Sequence, residues 1–294
     1  MKQLTLNFHI TEACNFSCKF CFAHWDKKDE IFRNRDRFLS FIEFINDQAR
    51  SALAVEELTI NFAGGEPALL KHLLNGAKLC KSLGIRTSVI TNGLIFTRFP
   101  IEDIGRFFDV VGVSVDALDD AVNRRIGRVS ASGKFFDYDK IFRNLEELKT
   151  QYGVLTKINT VVSRDNVHEV ISHKIVQHDI DRWKIFRVLP VVSSMEITDH
   201  EFQTFIQNNS VCCQPLVEDN DDMLNSYIMI NSNGHLYQSH DLGSKLGYRY
   251  YDLQMGGLFE GMRAVGIDLE KYRKRYTGYP GFLEFEKNRA SILG

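Results

Sequence analysis

The sequence has no long hydrophobic run, and none of its apolar stretches approaches the ~18 residues of a transmembrane helix. It also opens without a secretory signal, because "MKQLTLNFHI" has the pattern of a β-strand, and we expect a cytoplasmic protein without a membrane anchor. An excess of charge is missing too, since 36 basic and 38 acidic residues leave a net charge of −2. That balance excludes attraction of the whole protein to nucleic acid, so any anion site has to be a local basic pocket.

Cysteines are few, six in 294 residues, and three of them stand together. Cys14, Cys18 and Cys21 have the spacing C-x₃-C-x₂-C directly after the first predicted strand. A structural zinc site would add a second C-x₂-C or a pair of histidines. Three thiolates that hold a [4Fe–4S] cluster leave one iron open for a ligand. The spacing favours such a cluster, and a zinc site completed by a more distant ligand such as His24 is the alternative.

Strand-like and helix-like segments alternate through the first two thirds of the chain. This alternation predicts an α/β fold, a partial (βα)₆ barrel over residues 1–192, with an α+β C-terminal extension over residues 193–294 that covers it. In the extension we expect a hairpin of 226–230 with 235–238 and a helix near 257–275. The predicted strands are 3–10, 56–62, 85–91, 109–115, 156–163 and 182–190, and the predicted helices are 35–53, 69–83, 101–106, 119–126, 139–151 and 167–178.

The predicted strands each have an apolar and a polar face, because successive side chains of a strand point to opposite sides. In the first strand, for example, Leu4, Leu6 and Phe8 alternate with Thr5 and Asn7. The polar faces of the fifth and sixth strands carry basic side chains, which are costly to bury without a partner. We therefore expect the barrel lumen to hold a polar anionic ligand. The alternative is that some faces are reversed and that these side chains are solvated.

The cysteine motif "CNFSCKFC" resembles that of the radical S-adenosylmethionine enzymes, and further motifs support this resemblance in the same chain order. "NFAGGEP" (61–67), "ITNG" (90–93) and "SVDALDDAVNRRIGR" (114–128) each end a predicted strand. "TKINTVVSRDNV" and "RWKIFRVL" narrow the resemblance to the viperin family, over most of residues 5–190.

The resemblance implies a radical S-adenosylmethionine barrel and an antiviral dehydratase. The cofactors would be a [4Fe–4S] cluster and S-adenosylmethionine, whose reductive cleavage gives a 5′-deoxyadenosyl radical that takes the 4′ hydrogen of a nucleoside triphosphate. Loss of the 3′ hydroxyl as water then leaves a 3′-deoxy-3′,4′-didehydro nucleotide, a terminator of RNA synthesis. The prokaryotic relatives as a group use CTP, UTP or GTP.

The resemblance also assigns roles to individual residues. Cys14, Cys18 and Cys21 would bind the cluster, and Tyr227 would supply the last hydrogen equivalent to the substrate radical, although a packed hairpin tyrosine is the alternative. The residues implied for S-adenosylmethionine are Phe20, Gly64, Gly65, Glu66, Asn92, Ser114 and Arg128. The residues implied for the nucleotide are Asn7, Lys157, Asn159, Arg182 and Lys184.

Two departures from the family pattern concern the nucleotide. Thr59 stands where the family has a lysine before the asparagine of its second strand, and 273–285 matches the family's closing segment only loosely. Within that segment Arg273, Lys274 and Arg275 either close on phosphates or form a solvated helix end, and we favour the solvated end.

The implied partners are a nucleoside triphosphate and an electron donor protein such as a flavodoxin or ferredoxin. We expect no direct binding of nucleic acid, no membrane contact and a monomer. Two competing functions remain open at this point: a radical S-adenosylmethionine enzyme that modifies another substrate such as a peptide, and a non-catalytic nucleotide sensor that keeps the cluster as a structural element.

Overall fold

The computed structural model describes residues 2–21, 30–130, 133, 137–190, 193–210, 214–241 and 246–277. His24, the alternative zinc ligand, and residues 278–285 of the C-terminal segment lie outside these ranges.

The described residues form ten strands and eleven α-helices. The strands are β1 (Gln3–Thr11), β2 (Glu57–Gly64), β3 (Arg86–Thr91), β4 (Val110–Ser114), β5 (Leu155–Val162), β6 (Arg182–Arg187), β7 (Leu216–Glu218), β8 (Met229–Ile230), β9 (His235–Asp241) and β10 (Leu246–Asp252). The α-helices are α1 (Arg35–Asp47), α2 (Leu73–Ser82), α3 (Ile95–Arg98), α4 (Ile101–Phe107), α5 (Asp120–Arg125), α6 (Tyr138–Tyr152), α7 (Ser172–Gln177), α8 (Asp199–Asn209), α9 (Asn220–Met223), α10 (Leu253–Val265) and α11 (Leu269–Thr277). Short 3₁₀ helices cover Ile31–Arg33, Pro67–Leu69 and Ser193–Met195, and a π-helical turn, Gln48–Ala52, extends α1.

Within the described ranges all ten strands belong to one sheet, in the order β10-β9-β8-β1-β2-β3-β4-β5-β6-β7. The neighbours from β1 to β7 are parallel, and β8 is parallel to β1, whereas β9 and β10 add to that edge as an antiparallel hairpin. The predicted six-stranded α/β barrel is confirmed, and so is the hairpin of the extension.

The hydrophobic core lies between the outer face of the sheet and the helices. Leu4, Leu6, Phe8 and Ile10 of β1 are almost completely buried there. Because alternate side chains of each strand enter this core, the remaining side chains face the inside of the barrel. The faces predicted for β1 are confirmed.

The helix predicted near 257–275 is instead two helices, α10 and α11. Gly266, whose φ is +76°, ends α10 in the left-handed conformation that favours glycine. The prediction also missed α8, which begins at a capping box of Thr198 and Glu201. It further missed β10, which pairs with β9.

The C-terminal part of the chain contributes to both edges of the barrel and to its floor. Strand β7 extends the sheet beyond β6, and β8 extends it beyond β1. Helix α11 is fixed to the start of β1, where the Thr5 N–H donates to the Tyr272 hydroxyl at 2.6 Å. The domain boundary at residue 192 stays a prediction. Strands from both sides of this position belong to one sheet. None of the described helices is both long and apolar enough to span a membrane.

Candidate active site

A cavity of about 450 Å³ lies inside the curved sheet. Its walls are the inward faces of β1 to β6, completed by side chains of the C-terminal part. The inward side chains of these strands are Gln3, Thr5, Asn7, His9, Glu57, Thr59, Asn61, Ala63, Ser88, Ile90, Val110, Ser114, Lys157, Asn159, Val161, Arg182, Lys184 and Phe186. Most of these inward residues are polar, as strand alternation predicted.

The cysteine loop follows β1 and borders one end of this cavity. Cys14, Cys18 and Cys21 all line it, together with Phe20. Two backbone hydrogen bonds hold the loop to the end of α5: Lys19 N–H donates to the Ile126 carbonyl at 2.9 Å, and Ser17 N–H donates to the Gly127 carbonyl at 3.3 Å. The three thiols therefore surround the end of the cavity where the parallel strands terminate, as predicted for barrel chemistry.

The two glycines after β2 bring the backbone against the start of the cysteine loop. Gly65 N–H donates to the Thr11 carbonyl at 2.7 Å, and Glu66 N–H donates to the Ala13 carbonyl at 2.8 Å. A Cβ atom on Gly64 would lie 2.5 Å from the Thr11 oxygen, and one on Gly65 would lie 2.1 Å from the Ala13 oxygen. These positions accept only glycine, because the obstacle is backbone rather than a flexible side chain.

Substitution of Gly65 by alanine is therefore expected to displace the cysteine loop. Overpacking typically costs ~1–3 kcal/mol, and the backbone obstacle places this variant at the upper end of that range. We expect a lower melting temperature and less iron and sulfide bound per chain after reconstitution. Gly84→Ala is the matched control, because a Cβ there meets nothing within 4 Å and only its positive φ of 68° is strained. Equal behaviour of the two variants would contradict this account of the loop.

Glu66 supports the loop from behind and does not line the cavity. Its carboxylate is completely buried and accepts hydrogen bonds from the Thr91 hydroxyl at 2.6 Å, the Asn92 N–H at 2.7 Å and the Ala68 N–H at 3.0 Å. Burial raises the pKa of Glu66, and these three donors lower it. Asn92, thus fixed, donates from its side chain to Asn15 in the cysteine loop at 2.8 Å. The carboxylate of Glu66 therefore positions Asn92 instead of pointing at a ligand.

A buried ion pair forms the opposite wall of the same end. The Arg128 guanidinium contacts Asp116 at 2.5 Å and donates to the Ser114 carbonyl at 2.6 Å, and it lies 5.7 Å from the ring centroid of Phe16. Asp116 is 1% exposed and also accepts from the Val161 N–H at 2.7 Å. Burial raises the pKa of Asp116, while Arg128 lowers it. Ser114 and Arg128 are thus held together beside Cys18, whose sulfur lies 4.0 Å from the Arg128 guanidinium, and their role toward S-adenosylmethionine stays a prediction.

The residues at this end fit a [4Fe–4S] cluster better than a single metal ion. Within the described ranges no three His, Cys, Asp or Glu side chains are gathered closely enough to hold one ion. Burial raises the pKa of Cys18 to about 12 and also raises that of Cys14. Both are therefore protonated thiols until a metal binds and displaces the proton. Three thiols spread around one cavity suit a group larger than an ion.

The opposite end of the cavity is strongly basic. Lys157 lies near the start of β5, and Arg182 is the first residue of β6. Lys184 follows on β6, and Arg275 of α11 also lines the cavity. Behind them Glu218, at the end of β7, contacts Lys184 through one carboxylate oxygen and Arg275 through the other. The two cations hold the pKa of Glu218 at about 2, so this carboxylate is ionised. With Glu57, which also lines the cavity at the start of β2, four basic side chains face two carboxylates, and this end keeps a positive charge.

Lys157 is the least compensated of these cations. It is half-buried by its surface area yet deep in the cavity, and none of the described residues gives it a hydrogen bond or ion pair. Desolvation lowers its pKa well below the ordinary value, and repulsion by Lys184 adds to the effect. A polyanion bound here would remove both penalties.

The sequence predicted a solvated helix end for Arg273, Lys274 and Arg275. Arg273 and Lys274 are exposed, as predicted, but the prediction is wrong for Arg275. The Arg275 side chain is only 5% exposed, and its guanidinium lies 3.8 Å from the ring centroid of Tyr227. It also donates to the Ser226 hydroxyl at 2.7 Å. The basic triplet alone could not reveal this, because the direction of Arg275 depends on how α11 crosses the floor of the barrel.

Amide side chains lie between the two ends. Asn61 donates to the Asn7 side-chain oxygen at 2.8 Å, and these residues are neighbours in the β1–β2 register. The side-chain oxygens of Asn61 and Asn159 are buried and have no hydrogen-bond partner among the described residues. Since such acceptors are rarely left unpaired, they mark a place where a polar ligand or water belongs.

Tyr227 lies beside the basic end, just before β8. Its hydroxyl donates to Glu218 at 2.6 Å, and the Lys184 ammonium lies 5.9 Å from its ring centroid. The structure therefore brings Tyr227 together with the predicted nucleotide residues. Glu218 was missed by the sequence analysis, because no motif accompanies it and its strand has three residues.

Comparison with known proteins agrees with this geometry. The model of the Radical SAM superfamily matches residues 8–173. A protein of Pseudoalteromonas ulvae named S-adenosylmethionine-dependent nucleotide dehydratase is 32% identical over 94% of both chains. The chain belongs to this family of the Radical SAM superfamily. A Fibrobacter protein of the same name is 33% identical over 95% of this chain and 90% of its own. The fish relative from Siniperca chuatsi, named with the suffix RSAD2, is 29% identical over 79% of this chain and 67% of its own.

Two solved structures with bound S-adenosylmethionine share the fold. The enzyme anSMEcpe with bound AdoMet and the Cp18Cys peptide has a TM-score of 0.62 at 16% identity, covering 92% of this chain and 83% of that one. SuiB of Streptococcus suis bound to S-adenosylmethionine has a TM-score of 0.57 at 18% identity, covering 80% of this chain and 60% of that one. At this identity the likeness concerns the fold alone. The Radical SAM superfamily uses a [4Fe–4S] cluster and S-adenosylmethionine, and the predicted cofactors are confirmed at that level.

Proposed function

We propose that the protein removes water from the ribose of a ribonucleoside triphosphate, CTP, UTP or GTP, and forms its 3′-deoxy-3′,4′-didehydro analogue. One observation carries this proposal: a single cavity is lined by three thiols at one end and by four basic side chains at the other. A nucleoside triphosphate is long enough to reach from one end of this cavity to the other. It is anionic at one end only, which matches the basic side chains at one end of the cavity. The printed names of the relatives, nucleotide dehydratases, support the same class of reaction.

At the thiol end, Cys14, Cys18 and Cys21 would hold the cluster. When bound, the cluster and S-adenosylmethionine supply the one-electron chemistry that removes the 4′ hydrogen of the ribose. The carbonyls of Gly64 and Gly65 would accept from the cofactor's amino group. Phe20, Asn92, Ser114 and Arg128 complete the proposed cofactor site, with Glu66 holding Asn92 in place.

The triphosphate would bind at the basic end. Its ligands there would be Lys157, Asn159, Arg182 and Lys184, and Arg275 would contact it from the floor of the barrel. Arginine suits bidentate contacts with phosphate oxygens, and lysine acts as a point charge. The attraction is strong because these cations are withdrawn from solvent, and Glu218 offsets only part of their charge. Asn7 on β1 would contact the nucleoside between the two ends.

Tyr227 would supply the last hydrogen equivalent to the substrate, with Glu218 holding its hydroxyl. We expect Tyr227→Phe to continue forming 5′-deoxyadenosine in the presence of nucleotide while the dehydrated product falls sharply. Phenylalanine keeps the ring under Arg275 but has no hydroxyl hydrogen. Quantifying both products by mass spectrometry tests this role, and Tyr152→Phe on α6 is a control outside the cavity. Equal product yields in the two variants would make Tyr227 a packing residue.

The function itself is tested with anaerobic, reconstituted protein. Each of the four ribonucleoside triphosphates is supplied with S-adenosylmethionine and dithionite, and the corresponding monophosphates serve as controls. We expect one triphosphate to stimulate formation of 5′-deoxyadenosine and to yield a nucleotide lighter by one water. Cofactor cleavage that no triphosphate stimulates would favour another substrate such as a peptide. Absence of cleavage with a reducible cluster would favour a nucleotide sensor.

A flavodoxin or ferredoxin as electron donor, a monomeric state, a cytoplasmic location and a role in defence against phage stay predictions.

A further inference from the structure

Three tyrosines of the β9–β10 hairpin form a continuous aromatic cluster. The ring centroids of Tyr237 and Tyr250 are 5.8 Å apart with stacked planes, those of Tyr237 and Tyr248 are 5.7 Å apart, and those of Tyr248 and Tyr250 are 6.3 Å apart. Tyr237 and Tyr250 face each other directly in the strand register. No step of the proposed dehydration uses this tyrosine cluster.

The inner side of the tyrosine cluster reaches the cavity. Tyr248 lines the cavity that Cys21 also lines, and its hydroxyl is buried without a hydrogen-bond partner among the described residues. Beside it, the Tyr237 hydroxyl is hydrogen-bonded to Nδ1 of His9, another cavity residue. Burial raises the pKa of Tyr237 well above its usual value and lowers the pKa of His9 to about 4, so both are neutral at pH 7. A neutral imidazole can accept the phenol proton of Tyr237.

The outer side of the tyrosine cluster reaches solvent, because Tyr250 is 59% exposed. Packing alone does not account for this arrangement. A buried hydroxyl without a partner costs ~1–3 kcal/mol, whereas phenylalanine at position 248 would fill the same space without that cost. The phenols thus form a short line of oxidisable groups from the cavity wall to the surface.

We propose that the tyrosine cluster carries an oxidising equivalent from the cavity to the surface when the radical formed there meets no substrate. The Tyr248 hydroxyl would give its hydrogen atom to a carbon radical generated in the cavity, so that a C–H bond forms, the O–H bond breaks and a phenoxyl radical remains on Tyr248. Tyr250 would then give one electron to this phenoxyl and its own phenol proton to water, while Tyr248 takes a proton from water. A soluble thiol would finally return a hydrogen atom to Tyr250 and become a thiyl radical, and two such radicals combine to a disulfide. Tyr237 can give an electron to the Tyr248 phenoxyl in the same way as Tyr250, and its phenol proton is then held on His9.

This inference depends on radical generation from S-adenosylmethionine and is independent of the nucleotide substrate. Its test therefore omits nucleotide. The reconstituted cluster is reduced, excess dithionite is removed, and S-adenosylmethionine is added with a nitroso spin trap. Formation of 5′-deoxyadenosine is verified in every sample. Tyrosyl radicals are detected by electron paramagnetic resonance with ring-deuterated tyrosine, and trap adducts are located by peptide mass spectrometry.

We expect a tyrosyl signal and a trap adduct on Tyr250 in the unaltered protein. Tyr248→Phe should abolish the adduct on Tyr250, and Tyr250→Phe should move the modification to Tyr248 or Tyr237. Tyr251→Phe is the matched control, since Tyr251 points to the other face of β10 and should leave the adduct unchanged. Unchanged labelling of Tyr250 in Tyr248→Phe would overturn the proposal, as would 5′-deoxyadenosine formation without any tyrosyl signal or adduct.

Discussion

Replacement of Arg128 by methionine is expected to destabilise the protein by ~3–5 kcal/mol, the usual cost of removing one partner from a buried ion pair. The cost arises because Asp116, 1% exposed, would lose the guanidinium 2.5 Å away that compensates its charge, so that it is either buried as an unpaired anion or protonated at the expense of folding stability. Urea unfolding of the cofactor-free chain at pH 7 measures this difference. The deficit should shrink as the pH is lowered toward the pKa of an unfolded aspartate, ~3.9, because a protonated Asp116 carries no charge to compensate.

The double variant Asp116→Asn with Arg128→Met provides the control for this prediction. Removing both charges should restore most of the lost stability, because an amide in the place of Asp116 can still interact with the Val161 backbone. A single variant that loses less than ~1 kcal/mol, or a double variant no more stable than the single, would contradict the assigned role of the pair.

Lys157→Met is expected to change nucleotide binding and folding stability in opposite directions. Charge-assisted hydrogen bonds are worth ~1.5–3 kcal/mol, so the dissociation constant for the triphosphate should rise about ten- to a hundredfold. The free energy of unfolding should stay equal or increase, because the substitution removes a cation that is repelled by Lys184. Isothermal calorimetry with the loaded protein and urea unfolding measure the two effects.

The pH dependence gives this prediction a sign that can be checked. The pKa of Lys157 is lowered in the folded state, whereas the unfolded chain keeps that proton up to pH ~10.4. The unfolded state therefore binds more protons in the window between the two values, and the unaltered protein loses stability as the pH falls through it. The stability advantage of Lys157→Met should be largest below this window and vanish above pH ~10.4.

An exposed lysine on the opposite side of the helical layer provides the comparison. Lys78→Met on α2 removes the same charge from the surface and should change neither binding nor stability beyond ~0.5 kcal/mol. If Lys157→Met destabilises the fold while triphosphate binding is unaltered, the basic end of the cavity is not the phosphate site.

Local sequence patterns predicted those parts of the site that a strand periodicity or a close-set motif encodes. The alternation of Thr5 and Asn7 with Leu4 and Leu6 places side chains on opposite faces of β1 without reference to any other strand. In the same way, the spacing of Cys14, Cys18 and Cys21 brings three thiols to one short loop.

Long-range packing decided what the sequence left open. Glu218 meets Lys184 only because β7 pairs with β6, and its three-residue strand has no periodicity to read. The sequence predicted Arg275 to be part of a solvated basic segment. In the fold, α11 crosses the floor of the barrel, and the Arg275 guanidinium therefore lies over the Tyr227 ring. Glu66 belongs to a recognisable motif, yet the motif does not tell that its carboxylate is used for Asn92 while the neighbouring glycines face the cavity.

The central claim is that a nucleotide ribose lies in the same cavity as the cofactor's reactive carbon. The most direct measurement uses the preferred ribonucleoside triphosphate deuterated at the 4′ carbon, with mass analysis of the 5′-deoxyadenosine released in a single turnover. We expect one deuterium in 5′-deoxyadenosine, and less transfer in the Lys157→Met variant at the same subsaturating triphosphate concentration. Unlabelled 5′-deoxyadenosine, formed at the same rate with and without the triphosphate, would contradict it.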